Sequence, residues 1–223
     1  AQMAGGVAVG VYHTSSPEEV EWVISNSDSK IVFVGNNPMD GGDKEKMLNH
    51  RLMKVLENLP DIEHVIMMRK IEKLNHPKVM SWSDFIVKGS TTDDSEVMDR
   101  TNAISMEDTS ALIYTSGTTG NPKGVELTHR NWEFELRVTD SIMQFKQGEK
   151  YVSWLPLAHV FGQLVDNHYW VRNALHMYVV DNPLNVVDCA KDVQPHLFIG
   201  VPRIYEKIYS NIKAALDSKA ILR

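Results

Sequence analysis

Cysteine is almost absent from this sequence of 223 residues, and long apolar runs are missing. The single cysteine, Cys189, has no partner for an internal disulfide or a cysteine-based zinc site, which is typical of a reducing compartment. No stretch approaches the ~18 consecutive apolar residues of a membrane-spanning helix, and the amino end lacks a signal sequence pattern. These absences favour a cytoplasmic location.

An excess of positive charge is also missing. The chain has 23 Lys and Arg against 29 Asp and Glu, a net charge of −6, and the basic residues are scattered. Such a chain lacks the basic surface that general nucleic-acid binding uses, so we predict no nucleic-acid partner. Hydrophobic residues make up 43% of the sequence, which is enough to build a substantial core.

The most informative segment runs from Tyr114 to Val125 and reads YTSGTTGNPKGV. Its glycines lack a Cβ, so their backbone can adopt positive φ and bring N–H groups close to anionic oxygens. The hydroxyls can donate hydrogen bonds or reach a bound cation, and Lys123 supplies a mobile positive charge. The Walker loop has glycine directly before its lysine, where this chain has Pro122. The sequence therefore predicts a phosphate-binding loop of another kind.

A run rich in serine, threonine and glycine can also be a solvated linker, which is the commoner structure for this composition. The flanks of the loop argue against a linker. Residues 111–114 form an apolar segment typical of a buried strand, and the apolar Val125 and Leu127 alternate with polar residues. We therefore predict that the loop connects two strands.

At these residues the chain resembles the adenylate-forming superfamily, which includes acyl-CoA synthetases, firefly luciferase and the adenylation domains of peptide synthetases. In that family the loop grips the β- and γ-phosphates of ATP while a substrate carboxylate attacks the α-phosphorus. The resemblance implies catalytic roles for Lys123 and Thr118, with Thr118 also a magnesium ligand. The residues that it implies for nucleotide binding are Thr115, Ser116, Gly117, Thr118, Thr119, Gly120 and Lys123.

A second segment, Trp154–Gly162, reads WLPLAHVFG and resembles the family segment that places a histidine or an aromatic residue beside the acyl-adenylate. By position, His159 would lie near the reacting carboxylate, and Phe161 and Gly162 would line the acyl pocket. A lone histidine in an apolar stretch is more often a core residue, but the neighbouring resemblance favours the substrate-binding interpretation.

Two further segments, 4–35 and 200–212, are similar to long-chain fatty acyl-CoA synthetases. The resemblance therefore implies a parent enzyme that uses ATP, Mg²⁺ and coenzyme A to convert a fatty acid into acyl-AMP and then acyl-CoA. Such a substrate is compatible with peripheral membrane association. The alternatives are an acyl-AMP ligase, an aryl acid ligase, a luciferase-like oxidase and a nucleotide-binding fragment without catalysis.

The sequence lacks an initiator methionine, and the resemblance covers roughly a third to two-fifths of such an enzyme. In the family, the adenine motif, the magnesium-binding glutamate, the ribose-binding aspartate and a carboxy-terminal lysine come after the region that ends here at Arg223. We therefore expect the chain to be a fragment of the large amino-terminal domain that is inactive alone.

The order of apolar patterns predicts an α/β fold with two βαβ-type units and mainly parallel sheets. We predict a first α/β portion over 1–88, an acidic connecting loop over 89–108, and a second α/β portion over 109–223 that carries the phosphate loop. The predicted strands are 7–11, 31–34, 62–68, 111–114, 125–128, 151–155, 176–180 and 196–199. The predicted helices begin at 17, 43, 82, 129 and 202.

Overall fold

The computed structural model describes residues 1–36, 40–115 and 120–220, apart from the side chains of 45, 215 and 218–220. The strands are β1 (Ala8–Val9), β2 (Ile31–Val34), β3 (His64–Met67), β4 (Val79–Ser81), β5 (Thr109–Thr115), β6 (Lys123–Thr128), β7 (Lys150–Ser153) and β8 (His176–Val179). The helices are α1 (Pro17–Asn26), α2 (Leu48–Met53), α3 (Trp82–Gly89), α4 (Asp94–Asn102), α5 (His129–Ile142), α6 (Val160–Gly162), α7 (Trp170–Arg172), α8 (Val186–Val193) and α9 (Pro202–Ala220). A π-helix, Gln163–Tyr169, joins α6 to α7.

The described strands form three small sheets. In the first, β2, β3 and β4 are all parallel. In the second, β1 is parallel to β5 and β6 is antiparallel to β5, while β7 and β8 form a parallel pair. The structure therefore confirms a mixed α/β fold with mainly parallel sheets.

Burial of the apolar strand residues is uneven: β2 is an edge strand in which Ile31 and Phe33 are exposed, whereas its neighbour β3 is covered. The middle strand β3 is buried on both sides, and Val65 and Ile66 are fully inaccessible to water, as the continuous apolar run of an interior parallel strand predicts. A second cluster of buried residues gathers around Tyr151 and Tyr169, next to the π-helix. The cluster around β3 includes Ile24 of α1, and the cluster around Tyr151 includes Phe161 of α6 as a packed neighbour.

Helix α1 begins where its sequence predicts. The Ser16 hydroxyl accepts a hydrogen bond from the Glu19 N–H at 3.2 Å, and the Glu19 carboxylate accepts one from the Ser16 N–H at 3.0 Å. This reciprocal capping box satisfies two backbone donors at the helix end. Pro17 follows as the first helical residue, a position where its missing N–H costs nothing.

Several local predictions were wrong. The predicted acidic loop contains helix α4, because the Asp93 side chain caps it by accepting from the Ser95 N–H at 2.8 Å, and the first-turn acidic residues favour the positive end of the helix dipole. The predicted strand over 196–199 reduces to one bridge between Leu197 and Tyr151. The helix predicted over 43–58 is interrupted, and only α2 within it is α-helical.

The first predicted strand also joins a different sheet from the one expected. The succession of strands and helices suggested that β1 would pair beside β2 and β3, yet β1 pairs with β5 in the register Ala8 to Ala111. The short strand β4 has only three residues, too few for a recognisable period, and was not predicted. Over the described ranges, none of the helices combines the length and apolar character needed to cross a membrane.

Candidate active site

A cleft of about 380 Å³ opens beside the carboxyl ends of the parallel strands β1 and β5. The carboxyl edge of parallel strands is where ligands bind in open α/β folds, and the volume falls within the ~300–1,000 Å³ of ligand pockets. The residues that line it are Gly10, Val11, Tyr12, Thr14, Ser15, Glu19, Val23, Ile113, Tyr114, Thr115, Pro122, His159 and Val160.

The base of the predicted phosphate loop forms one side of this cleft. Thr115 is the last residue of β5 and lies directly opposite Lys123, the first residue of β6, and both are exposed. Paired residues of adjacent strands have their side chains on the same face of the sheet, so the side chains of Thr115 and Lys123 are neighbours; Thr115 lines the described cleft and Lys123 does not. Gly120 has a φ of 97°, a conformation that favours glycine. Ser116, Gly117, Thr118 and Thr119 lie outside the described residues.

His159, directly before α6, also lines the cleft. Its Nδ1 accepts a hydrogen bond from the Phe161 N–H at 3.1 Å, so the side chain caps the helix. An imidazole that accepts through Nδ1 carries its proton on Nε2 when it is neutral. His159 can therefore offer an N–H donor to a ligand in the cleft.

The two other residues predicted from the second segment lie behind this surface. Phe161 packs against the buried cluster around Tyr151 and Tyr169. Gly162 is buried against the Pro156 carbonyl, and a Cβ at this position would lie 2.3 Å from that oxygen. Neither residue is among those lining the described cleft, and their role in an acyl pocket stays a prediction.

The third wall, formed by the segment after β1, was not assigned to the site by sequence reasoning. The side chain of Arg51 donates to the carbonyls of His13 and Ser15 at 2.9 and 3.0 Å, which fixes this segment beside the cleft. Burial raises the pKa of Tyr12, so its hydroxyl remains a hydrogen-bond donor at neutral pH. A run of hydroxyl residues directly after a predicted strand was the available signal.

A close backbone contact joins this wall to the segment that carries His159. A Cβ at Gly10 would lie only 2.6 Å from the Cα of Ala158. The end of β1 and the turn before His159 therefore touch directly, which only glycine at this position permits.

Comparison with known proteins identifies the family to which this arrangement belongs. The sequence profile described as AMP-binding enzyme matches residues 1–222. The chain belongs to the AMP-binding enzyme family. The family match confirms the resemblance to adenylate-forming enzymes that was based on the phosphate loop.

Curated relatives of the AMP-binding chain include long-chain-fatty-acid–CoA ligases. It is 32% identical to the long-chain-fatty-acid–CoA ligase ACSBG2 of Gallus gallus in an alignment 227 positions long, which covers 99% of the chain and 29% of the ligase. It is 34% identical to the ACSBG2 ligase of Homo sapiens over 221 residues, which cover 95% of the chain and 31% of the ligase. The chain therefore spans about three-tenths of the length of these curated relatives.

A solved structure supports the fold of the AMP-binding chain independently. The red-emitting luciferase of Phrixothrix hirtus superposes with a TM-score of 0.65, at 17% identity, over 86% of this chain and 35% of the luciferase. At this identity the likeness shows a shared fold.

Behind the cleft, the AMP-binding chain buries a carboxylate on its π-helix. Asp166 is 8% exposed, and its Oδ2 accepts a hydrogen bond from the Ser153 hydroxyl at 2.7 Å. Burial raises the pKa of Asp166 to about 7, and a hydrogen bond from the Leu155 backbone partly offsets the rise. Ser153 ends β7, so Asp166 ties the π-helix to the strand from which the His159 segment departs.

We expect Asp166 to make the folding stability of the chain depend on pH. Its folded-state pKa of about 7 exceeds its ordinary value of 3.8, so the folded state binds the proton more tightly than the unfolded state. Stability should therefore fall as pH rises from 4 to 7, by about 1 kcal/mol per pH unit at the steepest part. Asp166→Asn keeps an oxygen acceptor for Ser153 and cannot ionise. Urea unfolding of the wild type and the variant from pH 4.5 to 8 should show the variant gaining relative stability with pH, and parallel profiles would contradict the assignment.

Proposed function

We propose that the protein containing this chain activates a fatty acid with ATP, giving acyl-AMP and pyrophosphate, and then transfers the acyl group to the thiol of coenzyme A, which releases AMP. The observation that carries the proposal is that the loop base, through Thr115 and Pro122, and His159 line one cleft, in a chain of the AMP-binding family. Relatives that are 30–34% identical to it are named long-chain-fatty-acid–CoA ligases. The proposed substrates are therefore a fatty acid, ATP and coenzyme A.

Charge control is the main chemical demand of the first step. Pyrophosphate leaves with added negative charge, and Lys123 with the N–H groups of the loop from Thr115 to Gly120 would stabilise that charge. A fatty-acid carboxylate is already ionised at neutral pH, so the attack on phosphorus needs no general base. The His159 N–H would orient the reacting carboxylate.

Magnesium fits this site as an ion held mainly by substrate oxygens. Within residues 1–36, 40–115 and 120–220, no three His, Cys, Asp or Glu side chains gather into a cation site. Mg²⁺ in nucleotide sites usually keeps several waters and binds substrate phosphates with only one or two protein ligands. When bound, it would neutralise charge on the phosphates, and Thr118 is the residue of this chain that would contact it.

Fatty-acid-dependent ATP–pyrophosphate exchange in the full-length protein tests the proposal. We expect exchange with palmitate in the absence of coenzyme A, little exchange with benzoate, and palmitoyl-CoA as the product once coenzyme A is added. Accumulation of palmitoyl-AMP in the presence of coenzyme A would indicate an acyl-AMP ligase, and exchange that depends on benzoate would indicate an aryl acid ligase. Binding of ATP without any exchange would indicate a nucleotide-binding protein without this chemistry.

A further inference from the structure

Helix α1 forms hydrogen bonds to both arms of the hairpin that carries the phosphate loop. The Trp22 indole N–H donates to the Pro122 carbonyl at 2.9 Å, and the Tyr114 hydroxyl donates to the Asn26 Oδ1 at 2.8 Å. Trp22 and Asn26 are four residues apart and therefore lie on one face of the helix. One face of α1 is therefore hydrogen-bonded both to β5 and to the residue directly before β6.

The two hydrogen bonds join the hairpin next to the two ends of the phosphate loop. Tyr114 directly precedes Thr115, the last residue of β5, and Pro122 directly precedes Lys123, the first residue of β6. The sequence between these strands contains two glycines, the residue type whose backbone has the most conformational freedom to lose. Fixing both ends of such a segment reduces the freedom that a bound phosphate would otherwise have to remove.

The Tyr114 side chain is confined from a second direction. Gly124 is its partner in the β5–β6 register, and a Cβ at Gly124 would lie 3.1 Å from the ring carbon Cζ of Tyr114. The ring therefore packs closely on the backbone of β6 while its hydroxyl reaches α1. Tyr114 is 6% exposed, and burial raises its pKa, so the hydroxyl stays a donor at neutral pH.

We infer that Trp22 and Asn26 are positioning residues that hold the base of the phosphate loop in its nucleotide-binding geometry. They line no part of the cleft and act only through Pro122 and Tyr114. The inference rests on the proposed function, because it assumes that the loop binds the phosphates of ATP. Losing either bond should weaken ATP binding and leave the fatty-acid site nearly unchanged.

Two substitutions at Asn26 separate the hydrogen bond from the bulk of the side chain. Asn26→Leu keeps a similar volume and removes the acceptor, and we expect the Kd for ATP in the full-length protein to rise about fivefold, as losing a bond of ~1 kcal/mol predicts. Asn26→Asp keeps an oxygen acceptor and should stay within about twofold of the wild type. Calorimetric titration with ATP and magnesium gives these values.

A double-mutant cycle with Tyr114→Phe tests whether the effect passes through the proposed bond. Tyr114→Phe should weaken ATP binding about as much as Asn26→Leu, and the double variant should be no weaker than either single one. Asn58→Ala is the matched control, because it removes another bond to α1, from Asn58 Nδ2 to the Glu21 carboxylate at 3.0 Å, away from the hairpin. It should not change ATP binding.

The outcomes distinguish this inference from the proposed function. If the wild type shows fatty-acid-dependent exchange but both single variants bind ATP as the wild type does, the positioning role fails alone. If the KM values for ATP and palmitate rise by the same factor in these variants and the urea midpoint of unfolding falls, the substitutions destabilise the protein generally. That result would also overturn the positioning role. If the wild type binds ATP without exchange, the proposed function fails and the ATP Kd values still decide the positioning role. No ATP binding by the wild type would overturn both.

Discussion

Replacing Lys123 with alanine should lower the rate of ATP–pyrophosphate exchange in the full-length protein by about two orders of magnitude. The expectation follows from the charge that develops on the leaving pyrophosphate, for which one well-placed donor is worth ~10²–10³ in rate. Lys123 is paired with Thr115 at the loop base, next to the cleft, although it is not itself among the residues that line the described cleft. Glu19 is among the lining residues, and its negative charge would make a positive charge at the loop base more important.

Three further variants define the role of Lys123. Lys123→Arg keeps the charge but replaces a compact ammonium with a planar guanidinium, so we expect partial activity. Thr118→Ala should also depress exchange, because it removes the proposed magnesium contact. Lys191→Ala is the control, since its exposed ammonium pairs with Asp188 at 2.8 Å on α8, an element that contributes no residue to the β5–β6 hairpin or to the described cleft lining. Exchange at the wild-type rate in both Lys123→Ala and Thr118→Ala would remove the assigned role of the loop.

Substituting Gly162 by alanine should cause the largest loss of folding stability among single methyl additions at the glycines that the structure describes. The new Cβ would meet the Pro156 carbonyl oxygen at 2.3 Å and its carbon at 2.9 Å. Both are backbone atoms, so no side-chain rotation can relieve the contact. The backbone between Pro156 and Gly162, which includes His159, would have to shift. We expect a loss of about 3 kcal/mol, at the upper end for overpacking, measured as a lowered urea midpoint, together with a raised KM for the fatty acid.

Gly89 offers a matched control for this prediction. It lies at the end of α3, and a Cβ there would meet no atom within 4 Å. Alanine is a better helix former than glycine, so Gly89→Ala should leave stability unchanged or raise it by ~0.5–1 kcal/mol. Equal urea midpoints for Gly162→Ala and the wild type would mean that the turn can yield, and the packing argument would be wrong.

The features that could be predicted from sequence are those encoded within a few residues. The apolar strand before Thr115 and the alternating strand after Lys123 identified the β5–β6 hairpin, and the Ser-Pro-Glu-Glu run identified the start of α1. Such signals are local, since they depend on strand periodicity and on helix capping. They were sufficient for the fold class and for the position of the loop.

The remaining features depend on residues far apart in the chain. Pairing of β1 with β5 and the bond from Trp22 to Pro122 join positions about a hundred residues apart, which no local pattern encodes. The contact between Gly10 and Ala158 is of the same kind. Helix α4 was missed for a different reason, because a short helix rich in acidic residues resembles a solvated loop in composition.

The pairing of β1 with β5 also imposes an order on assembly. The β2–β3–β4 sheet joins strands that are near neighbours in sequence, so its loops close at small entropic cost. Strand β1 has only two residues and must wait until β5 exists before it has a partner. Because contacts between distant residues form slowly, we expect the nucleotide cleft to be completed late in folding, after the neighbouring sheet has become a stable platform.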